Sequence, residues 1–399
     1  MTIRSIREYN CKNKKVLIRA DFNVPLDHHD QITDDARIRK TIPTIRKVLD
    51  DGGIAIIVSH LGRPKNGYDP KLSLQKLVKF LATYLSAPVF FAHSCTGVAT
   101  KEKTAKLHPG EVLLLENVRF HAEETTGDIV FAKALATLGD VYVNDSFGTI
   151  HRAHVSTTTI ATYFKDKLAG LLLEEELANA QRIIASPTHP FVGIIGGKKL
   201  VDKIEPMQML LDQVDQLLVG GGLVSPFLEA CQYDTVSDIA TEKSVVVRAK
   251  EIIDYARSKS CALLIPTDLV VASHFAKDAT VRIVPSNGVP PNWLPLDIGP
   301  ETRGIFSTTI QQAKTILWSG PIGVFEMVPF RKGTHAIAQA VAQATRNGAF
   351  SLIGGGDSAA AIQQLGYTSQ VARIATGGSA LLAYITNQNL LSLEVLKEK

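Results

Sequence analysis

Short aliphatic runs alternate with longer amphipathic segments along the whole chain. This alternation is typical of parallel sheets flanked by helices, and it predicts the α/β class. In the first half the predicted strands are Lys15–Arg19, Ile54–Val58, Val112–Leu115 and Val141–Val143, and the predicted helices are Asp35–Leu49, Ser73–Leu85 and Asp128–Leu138. In the second half the predicted strands are Phe191–Ile195, Gln216–Val219, Ala262–Ile265, Thr315–Trp318, Ser351–Ile353 and Val371–Ala375.

The segment Leu171–Ile184 separates the two halves and has a strong helical pattern, with acidic residues early and an arginine late. A chain of 399 residues is too long for one compact core and fits two domains. The sequence therefore predicts two Rossmann-like domains, each a parallel sheet flanked by helices, joined by a hinge helix. We place the first domain at residues 1–170, the hinge helix at 171–185 and the second domain at 186–384.

The segment Phe350–Ala361, with the sequence FSLIGGGDSAAA, has the pattern of a strand, a tight turn and a helix. Its glycines, Gly354, Gly355 and Gly356, permit backbone conformations closed to residues with a Cβ, and the N–H groups at a helix start attract anions. Asp357 adds a hard oxygen suited to a magnesium ion carried by a phosphate. Taken alone, the pattern also fits a simple glycine turn with Asp357 as an ordinary N-cap.

Charged, hydrogen-bonding side chains follow the strands predicted in the first half. They are Asp21, Asn23, Arg37, His60, Arg63, Arg119, His151, Arg152 and His154. Because parallel strands end at the same edge of a sheet, we expect these side chains to lie close together. Any single arginine of this kind is usually a solvated or helix-capping charge. Several at one edge favour binding of a small, multiply anionic ligand, with Asp21 and Asn23 available for a hydroxyl.

Glycines follow the strands predicted in the second half, which favours backbone contact with phosphates and a flat base. They are Gly196, Gly197, Gly220 to Gly222, Gly320, Gly323, Gly354 to Gly356, Gly377 and Gly378. Lys199 and Lys203 are four residues apart, hence on one helical face, and can neutralise a phosphate chain. Glu326 can accept hydrogen bonds from a ribose. The absence of GxxxxGK[ST], and of GxGxxG with a following ribose acid, argues against a P-loop enzyme and a nicotinamide dehydrogenase.

Composition narrows the class of protein further. The formal net charge of +4 is small and the basic residues form no long run, so nucleic acid is not required as a partner. No apolar segment approaches the ~18 residues of a membrane span, and the start MTIRSIREYN has no signal core, so we expect a cytoplasmic protein. The scattered cysteines are interpreted as reduced packing residues; they are Cys11, Cys95, Cys231 and Cys261.

With these residues in view, the chain resembles the phosphoglycerate kinase family over essentially its whole length. The matching motifs, in the family's order and at similar spacing, are DFNVP, SHLGRP, ENVRF, HRAH, the GG-x-K-x-x-DK pattern at Gly196–Lys203, LDIGPET, GPIGVFE, GGGDS and ATGG. The resemblance implies a two-domain, monomeric enzyme of glycolysis. It would interconvert 1,3-bisphosphoglycerate plus ADP with 3-phosphoglycerate plus ATP, using magnesium.

The resemblance also implies roles for individual residues. Phosphoglycerate would be held by Asp21, Asn23, Arg37, His60, Arg63, Arg119 and Arg152. The nucleotide would be held by Gly197, Lys199, Lys203, Gly320, Pro321, Glu326, Gly354, Gly355, Gly356, Asp357 and Ser358, with Asp357 as metal ligand. Since family members return their last helix to the first domain, residues 385–399 are expected to pack there.

The reaction chemistry agrees with this inventory. A carboxylate acceptor is already ionised at neutral pH, so no general base is needed, and His60 and His154 are interpreted as binding or structural residues. The reaction requires alignment of two anions and neutralisation of the phosphoryl charge. The groups expected to do this are Arg37, Lys199, Lys203 and the helix amino termini at Gly355 and Gly378. Closure about the hinge helix would expel water.

Two other interpretations stay open from the sequence. A binding-only relative would usually have lost Arg37, Lys199 or Asp357, which are all present, and a kinase for a different small acid would need no distal phosphate site. Several positions depart from the family's usual pattern, namely Thr158, Thr159, Lys198, Ser319 and Ser379. Ser379 replaces a glycine and would be strained if its φ were positive.

Overall fold

The computed structural model describes residues 3–27, 29–65, 67–197, 203–231, 243–259, 261–386 and 390–398. The chain forms two compact units, the first comprising Met1–Ala178 with Asn389–Lys399 and the second Asn179–Gln388. The second unit is continuous in sequence, whereas the first contains both ends of the chain.

A parallel six-stranded sheet forms the centre of the first unit, with strand order β3-β4-β2-β1-β5-β6. Its strands are β1 (Lys15–Arg19), β2 (Ile54–Val58), β3 (Val89–Ala92), β4 (Val112–Leu115), β5 (Val141–Asn144) and β6 (Lys167–Ala169). Strands β2 and β4 are buried at every residue. Continuous aliphatic sequences such as IAIIV and VLLL are what a strand covered by helices on both faces requires.

The helices of the first unit are α1 (Ala36–Asp50), α2 (Val78–Leu85), α3 (Val98–Ala105), α4 (Glu123–Thr126), α5 (Ile129–Ala136) and α6 (Leu171–Ala185), the last of which spans the boundary between the units. In α1, Ile38, Ile42 and Ile45 recur at helical spacing and are buried in the core that contains the sheet residues Val16 and Ile57. This packing holds the start of α1, which carries Arg37, beside the sheet.

The second unit has a parallel six-stranded sheet in the order β15-β14-β13-β7-β8-β9 and an antiparallel sheet in the order β11-β10-β12. Its strands are β7 (Phe191–Ile195), β8 (Gln216–Val219), β9 (Ala262–Leu264), β10 (Asp268–Ala272), β11 (Val281–Pro285), β12 (Leu294–Ile298), β13 (Thr315–Ser319), β14 (Phe350–Gly354) and β15 (Arg373–Ala375). Its helices are α7 (Ile204–Leu210), α8 (Val224–Ala230), α9 (Lys243–Ser258), α10 (Pro300–Gln312), α11 (Lys332–Arg346), α12 (Gly356–Gln364) and α13 (Gly378–Ile385).

The last helix, α14 (Leu391–Glu394), belongs to the first unit. The hydroxyl of Ser392 donates a hydrogen bond to the backbone oxygen of Ile150. Lys397 forms an antiparallel bridge with Ile3 near the start of the chain. These contacts join the two ends of the polypeptide within one unit.

The predicted α/β class, with two parallel sheets flanked by helices, is confirmed. Sequence reasoning missed β3, β6 and the antiparallel sheet β10 to β12. The helix predicted to start at Ser73 begins as a 3₁₀ turn over Leu74–Leu77 and becomes α-helical at Val78. Ser379 lies inside α13 and is not among the residues with positive φ, so the strain considered for it does not arise. None of the helices described here has the length and hydropathy to cross a membrane.

Candidate functional site

The carboxyl ends of β1 and β2 bring two of the expected residues together in the first unit. These strands are hydrogen-bonded neighbours, so Asp21 and His60 emerge side by side, with His60 Nδ1 3.8 Å from Asp21 Oδ1. Arg37, at the start of α1, approaches from the other side, and its Nη1 lies 3.8 Å from Asp21 Oδ2. The Asp21 carboxylate therefore has the Arg37 guanidinium near one oxygen and the His60 imidazole near the other.

Hydrogen bonds to the backbone fix Asn23, Arg37 and Arg119 relative to one another. Arg37 Nη1 donates to the backbone oxygen of Asn23 at 2.6 Å, and the Asn23 side-chain oxygen accepts from the Gly62 N–H at 2.8 Å. The Gly62 carbonyl in turn accepts from Arg119 Nη1 at 2.7 Å. The loops after β1, β2 and β4 are thereby linked into one framework.

A cavity of about 430 Å³ opens at this edge of the first unit. It is lined by Arg63, Arg119, Arg152 and His154 among other residues. Three guanidinium groups facing one space, with no carboxylate among the lining residues, create a site for an anion with several oxygens.

The imidazoles beside these arginines are held neutral. Burial, followed by the charges of Arg19, Arg119, Arg152 and Arg37, keeps the pKa of His60 well below its ordinary value of 6.5. The pKa of His151 and that of His154 fall to about 4, chiefly because both rings are buried. At neutral pH the positive charge of the cluster therefore comes from its arginines.

Sequence reasoning missed a buried pair of charges behind the cluster. Arg19, at the end of β1, donates from Nε to the Ser156 hydroxyl at 2.8 Å, and that hydroxyl donates to Glu124 Oε1 at 2.6 Å. Burial raises the pKa of Glu124. Arg19 Nη2 also lies 3.1 Å from His60 Nδ1. An arginine completing the buried strand KVLIR was the one sequence signal of this arrangement.

In the second unit, the loops after β7 and β13 meet backbone to backbone. The Gly197 N–H donates to the Pro321 carbonyl at 3.0 Å. A Cβ built on Gly320, whose φ is +96°, would lie 2.1 Å from the Gly196 oxygen. Only glycine permits this approach, which leaves backbone rather than side chains at the edge of the sheet.

The loops after β14 and β15 meet in the same manner. Gly355 has φ of +105° immediately before α12, and a Cβ built on Gly378, the first residue of α13, would lie 2.5 Å from Gly355 Cα. Two helix amino termini therefore start beside each other. Gly356 and Asp357, in the first turn of α12, are exposed. This is the arrangement expected of an anion site made of N–H groups and helix dipoles.

The remaining residues expected near the nucleotide differ in where their side chains lie. Lys203 donates from Nζ to the Gly196 carbonyl and, at 3.2 Å, to that of Ser319, so its ammonium lies at the glycine loops. The buried Ser358 hydroxyl accepts from the Gly320 N–H at 2.7 Å, while Glu326 is exposed. Lys198 and Lys199 lie outside the described residues.

Asp357 fits a magnesium ion that a nucleotide brings with it. Within the described ranges, no three His, Cys, Asp or Glu side chains are grouped to hold a metal on their own. Magnesium usually keeps several waters and binds through one or two carboxylates plus substrate phosphates. A single exposed carboxylate beside two helix amino termini satisfies that requirement.

Known proteins match both units of this chain together. The family model described as phosphoglycerate kinase matches residues 6–388. The phosphoglycerate kinase of Chlorobium phaeobacteroides is 44% identical over 398 residues, covering 100% of both chains. Phosphoglycerate kinase 3, cytosolic, from Arabidopsis thaliana is 43% identical over 397 residues, covering 100% of this chain and 98% of that protein.

Two solved structures are similar over almost the whole chain. Phosphoglycerate kinase from Coxiella burnetii superimposes with a TM-score of 0.84 at 36% identity, covering 99% of each chain. Phosphoglycerate kinase from Pyrococcus horikoshii superimposes with a TM-score of 0.87 at 29% identity, covering 99% of this chain and 98% of that one.

Proposed function

The chain belongs to the phosphoglycerate kinase family, and on that premise we propose that it transfers a phosphoryl group reversibly between 1,3-bisphosphoglycerate and ADP. The products are 3-phosphoglycerate and ATP, and the acceptor in the reverse direction is a carboxylate. The observation that supports the proposal is that the two units present different kinds of anion-binding groups. One presents a cavity lined by arginines, and the other presents glycine backbones and helix amino termini.

The first unit is proposed to hold the phosphoglycerate. Its ligands are Asp21, Asn23, Arg37, His60, Arg63, Arg119 and Arg152. The cavity lined by Arg63, Arg119 and Arg152 suits the distal phosphate, which favours this substrate over an acid without one. The family resemblance assigns Arg37 to the transferring phosphoryl group, and its guanidinium is fixed by the Asn23 carbonyl 3.8 Å from Asp21 Oδ2.

The second unit is proposed to hold the magnesium nucleotide. Its ligands are Gly197, Lys199, Lys203, Gly320, Pro321, Glu326, Gly354, Gly355, Gly356, Asp357 and Ser358. Asp357 would hold the magnesium, whose positive charge neutralises phosphate oxygens when the nucleotide is bound. Ser358 acts by holding the Gly320 loop, since its buried hydroxyl accepts a hydrogen bond from the Gly320 N–H.

Catalysis is proposed to rest on alignment and charge neutralisation. The acceptor carboxylate is ionised, and the neutral His60 and His154 are not needed as bases. Arg37, Lys199, Lys203 and the N–H groups at Gly355 and Gly378 would neutralise the charge that spreads over the phosphoryl oxygens. Bending at α6 would bring the ligands together and exclude water from the acyl phosphate.

The enzyme is further proposed to act as a monomer in the cytoplasm. The support for the compartment is the Arabidopsis thaliana relative, whose name describes it as cytosolic. The monomeric state is carried over from the family resemblance alone.

A coupled assay tests the proposed activity. Purified chain is mixed with 3-phosphoglycerate, ATP and magnesium, and 1,3-bisphosphoglycerate formation is followed through a dehydrogenase that consumes it. We expect turnover that disappears when magnesium is removed. A folded sample that binds both ligands without turnover would contradict the proposal and favour a binding-only protein.

A further inference from the structure

The segment from Gly320 to Phe330, called the 320–330 segment below, carries Gly320, Pro321 and Glu326 of the proposed nucleotide site. It is an irregular loop between β13 and α11 with a 3₁₀ turn over Val328–Phe330. Such a loop needs anchors outside itself to hold its side chains in place.

One set of anchors comes from α11 and β12. The Thr334 hydroxyl, in the first turn of α11, accepts from the N–H groups of Ile322 at 3.2 Å and Gly323 at 3.0 Å. The Val324 N–H donates to the Leu296 carbonyl of β12 at 2.9 Å. The antiparallel sheet that the sequence did not predict is therefore in direct contact with the 320–330 segment.

Asp297, the next residue of β12, provides a second anchor. Its side chain is 3% exposed, its Oδ2 accepts from the Gly333 N–H at 2.7 Å, and its Oδ1 accepts from the Ile298 N–H at 2.9 Å. A Cβ on Gly323 would lie 2.2 Å from Asp297 Oδ1, and one on Gly333 would lie 2.0 Å from it. The carboxylate thus fills the space that side chains at both glycines would occupy.

Burial of Asp297 and the polar groups around it act on its pKa in opposite directions. Burial raises the pKa of Asp297 to about 7, while the N–H groups of Gly333 and Ile298 and the charges of Arg303 and Lys332 oppose the rise. A buried carboxyl that merely filled space would be better replaced by an apolar side chain. Its hydrogen bond to the Gly333 N–H at the start of α11 gives it a role as an anchor.

We propose that Asp297 is a positioning residue for the nucleotide site, holding the 320–330 segment so that Glu326 and the Gly320 loop face the nucleotide. The inference rests on the proposed nucleotide site. It also accounts for the LDIGPET motif, to which none of the ligand assignments gives a role. Asp297 acts through the segment and touches no ligand itself.

The test is Asp297→Asn in the full chain. Asparagine keeps the shape but offers one acceptor and an NH₂ group, so one of the two backbone N–H groups loses its partner. We expect the dissociation constant for ADP with magnesium to rise about tenfold. The dissociation constant for 3-phosphoglycerate and the kcat at saturating nucleotide should stay within about twofold of wild type.

Asp268→Asn is the matched control. Asp268 lies on β10 of the same sheet, is 7% exposed, and accepts the N–H groups of Glu301 at 3.0 Å and Thr302 at 2.8 Å at the start of α10. The same substitution should lower stability comparably while leaving nucleotide affinity unchanged. A loss of nucleotide affinity equal to that of Asp297→Asn would show that general destabilisation is sufficient, and would overturn the inference.

Two further outcomes are decisive. If Asp297→Asn does not fold, Thr334→Val removes the other anchor, and wild-type nucleotide affinity in a folded Thr334→Val protein would overturn the inference. Wild-type protein that binds no ADP would overturn both this inference and the proposed function. Wild-type affinity in Asp297→Asn would overturn this inference alone.

Discussion

The sheet edge of the first unit presents side chains, whereas the equivalent edge of the second presents backbone. In the first, Arg63, Arg119 and Arg152 line a cavity, and backbone carbonyls hold Arg119 (on Gly62) and the nearby Arg37 (on Asn23). In the second, glycine loops touch so closely that a Cβ on one loop would collide with the backbone of the next loop. The first edge should therefore be sensitive to groups that are removed, and the second to groups that are added.

Removal of Arg37 is expected to give the largest effect. Arg37→Ala should lower kcat by about 10²- to 10³-fold while changing nucleotide affinity little, because the lost charge is the one proposed to act on the transferring phosphoryl group. Steady-state kinetics in both substrates, together with ADP binding by calorimetry, measure the two effects separately.

Arg39→Ala is the control on the same helix. Arg39 forms an exposed ion pair with Asp35, with Nε 2.8 Å from Oδ1, outside the cluster. It should keep wild-type kcat, because such surface pairs contribute little. Equal losses in kcat and nucleotide affinity for Arg37→Ala would contradict the proposal that Arg37 acts on the transferring phosphoryl group.

Asp357 is one of the side chains of the second unit whose removal should also matter. Asp357→Ala should abolish the magnesium-dependent part of ADP binding, about tenfold or more, with an unchanged thermal unfolding midpoint because the residue is exposed. Glu301→Ala, an exposed acid in the first turn of α10, is the control. If ADP binding by Asp357→Ala still depended on magnesium, Asp357 would not be the metal ligand and would be an ordinary acidic residue in the first turn of α12.

An added methyl group sharpens the comparison further. Gly378→Ala places a Cβ 2.5 Å from Gly355 Cα, so the loops after β14 and β15 must separate. We expect about a tenfold weaker affinity for ADP and about 1–3 kcal/mol lower stability, measured by calorimetry and denaturant unfolding.

Gly304→Ala is the matched control for that methyl group. Gly304 lies inside α10 with open space around its Cα. Alanine there should raise stability by up to about 1 kcal/mol, since it favours the helix. If both alanines had the same effect on ADP binding, close contact between the glycine loops would not explain the site.

The smallest expected effect concerns pH, through one buried aspartate in each unit. Burial raises the pKa of Asp145 to about 7, as it does for Asp297. An unfolded aspartate loses its proton near pH 4, so each residue contributes stability that is lost as pH rises from about 4 to 7.

Asp145→Asn should remove the part of the pH dependence of stability that comes from Asp145. Unfolding free energy, measured in denaturant at pH 5 and pH 7, should fall less between the two values than in wild type. The exposed Asp278→Asn should reproduce the wild-type difference. A wild-type difference in Asp145→Asn would show that the carboxyl titrates at its ordinary pKa.

Burial accounts for part of how far the sequence predicted the structure, although β10 is buried at every residue and was still missed. Strands such as Ile54–Val58 are buried at every residue and were recognised as aliphatic runs. β11 was missed because most of it is exposed, and β6 because it has three residues. Arg19 and Glu124 escaped notice because a charge inside the core is defined by its partners, such as Ser156, which only folding supplies.

Sequence motifs supplied the proposed ligands but left out the residues that hold them in place. Loops rich in glycine or arginine have strong signatures, since their chemistry is local. Asp297 lies in β12 and Gly323 in the loop after β13, and the spacing of neither motif shows that a Cβ on Gly323 would lie 2.2 Å from Asp297 Oδ1. Supporting contacts of this kind depend on tertiary packing, which a pattern along the chain does not encode.

The first unit contains both chain ends, joined by Lys397 opposite Ile3 and by Ser392 on Ile150. During synthesis, all residues of the second unit, Asn179–Gln388, leave the ribosome before the last residues of the first. The amino-terminal part of the first unit can therefore acquire α14 only after every residue of the second unit has been synthesised.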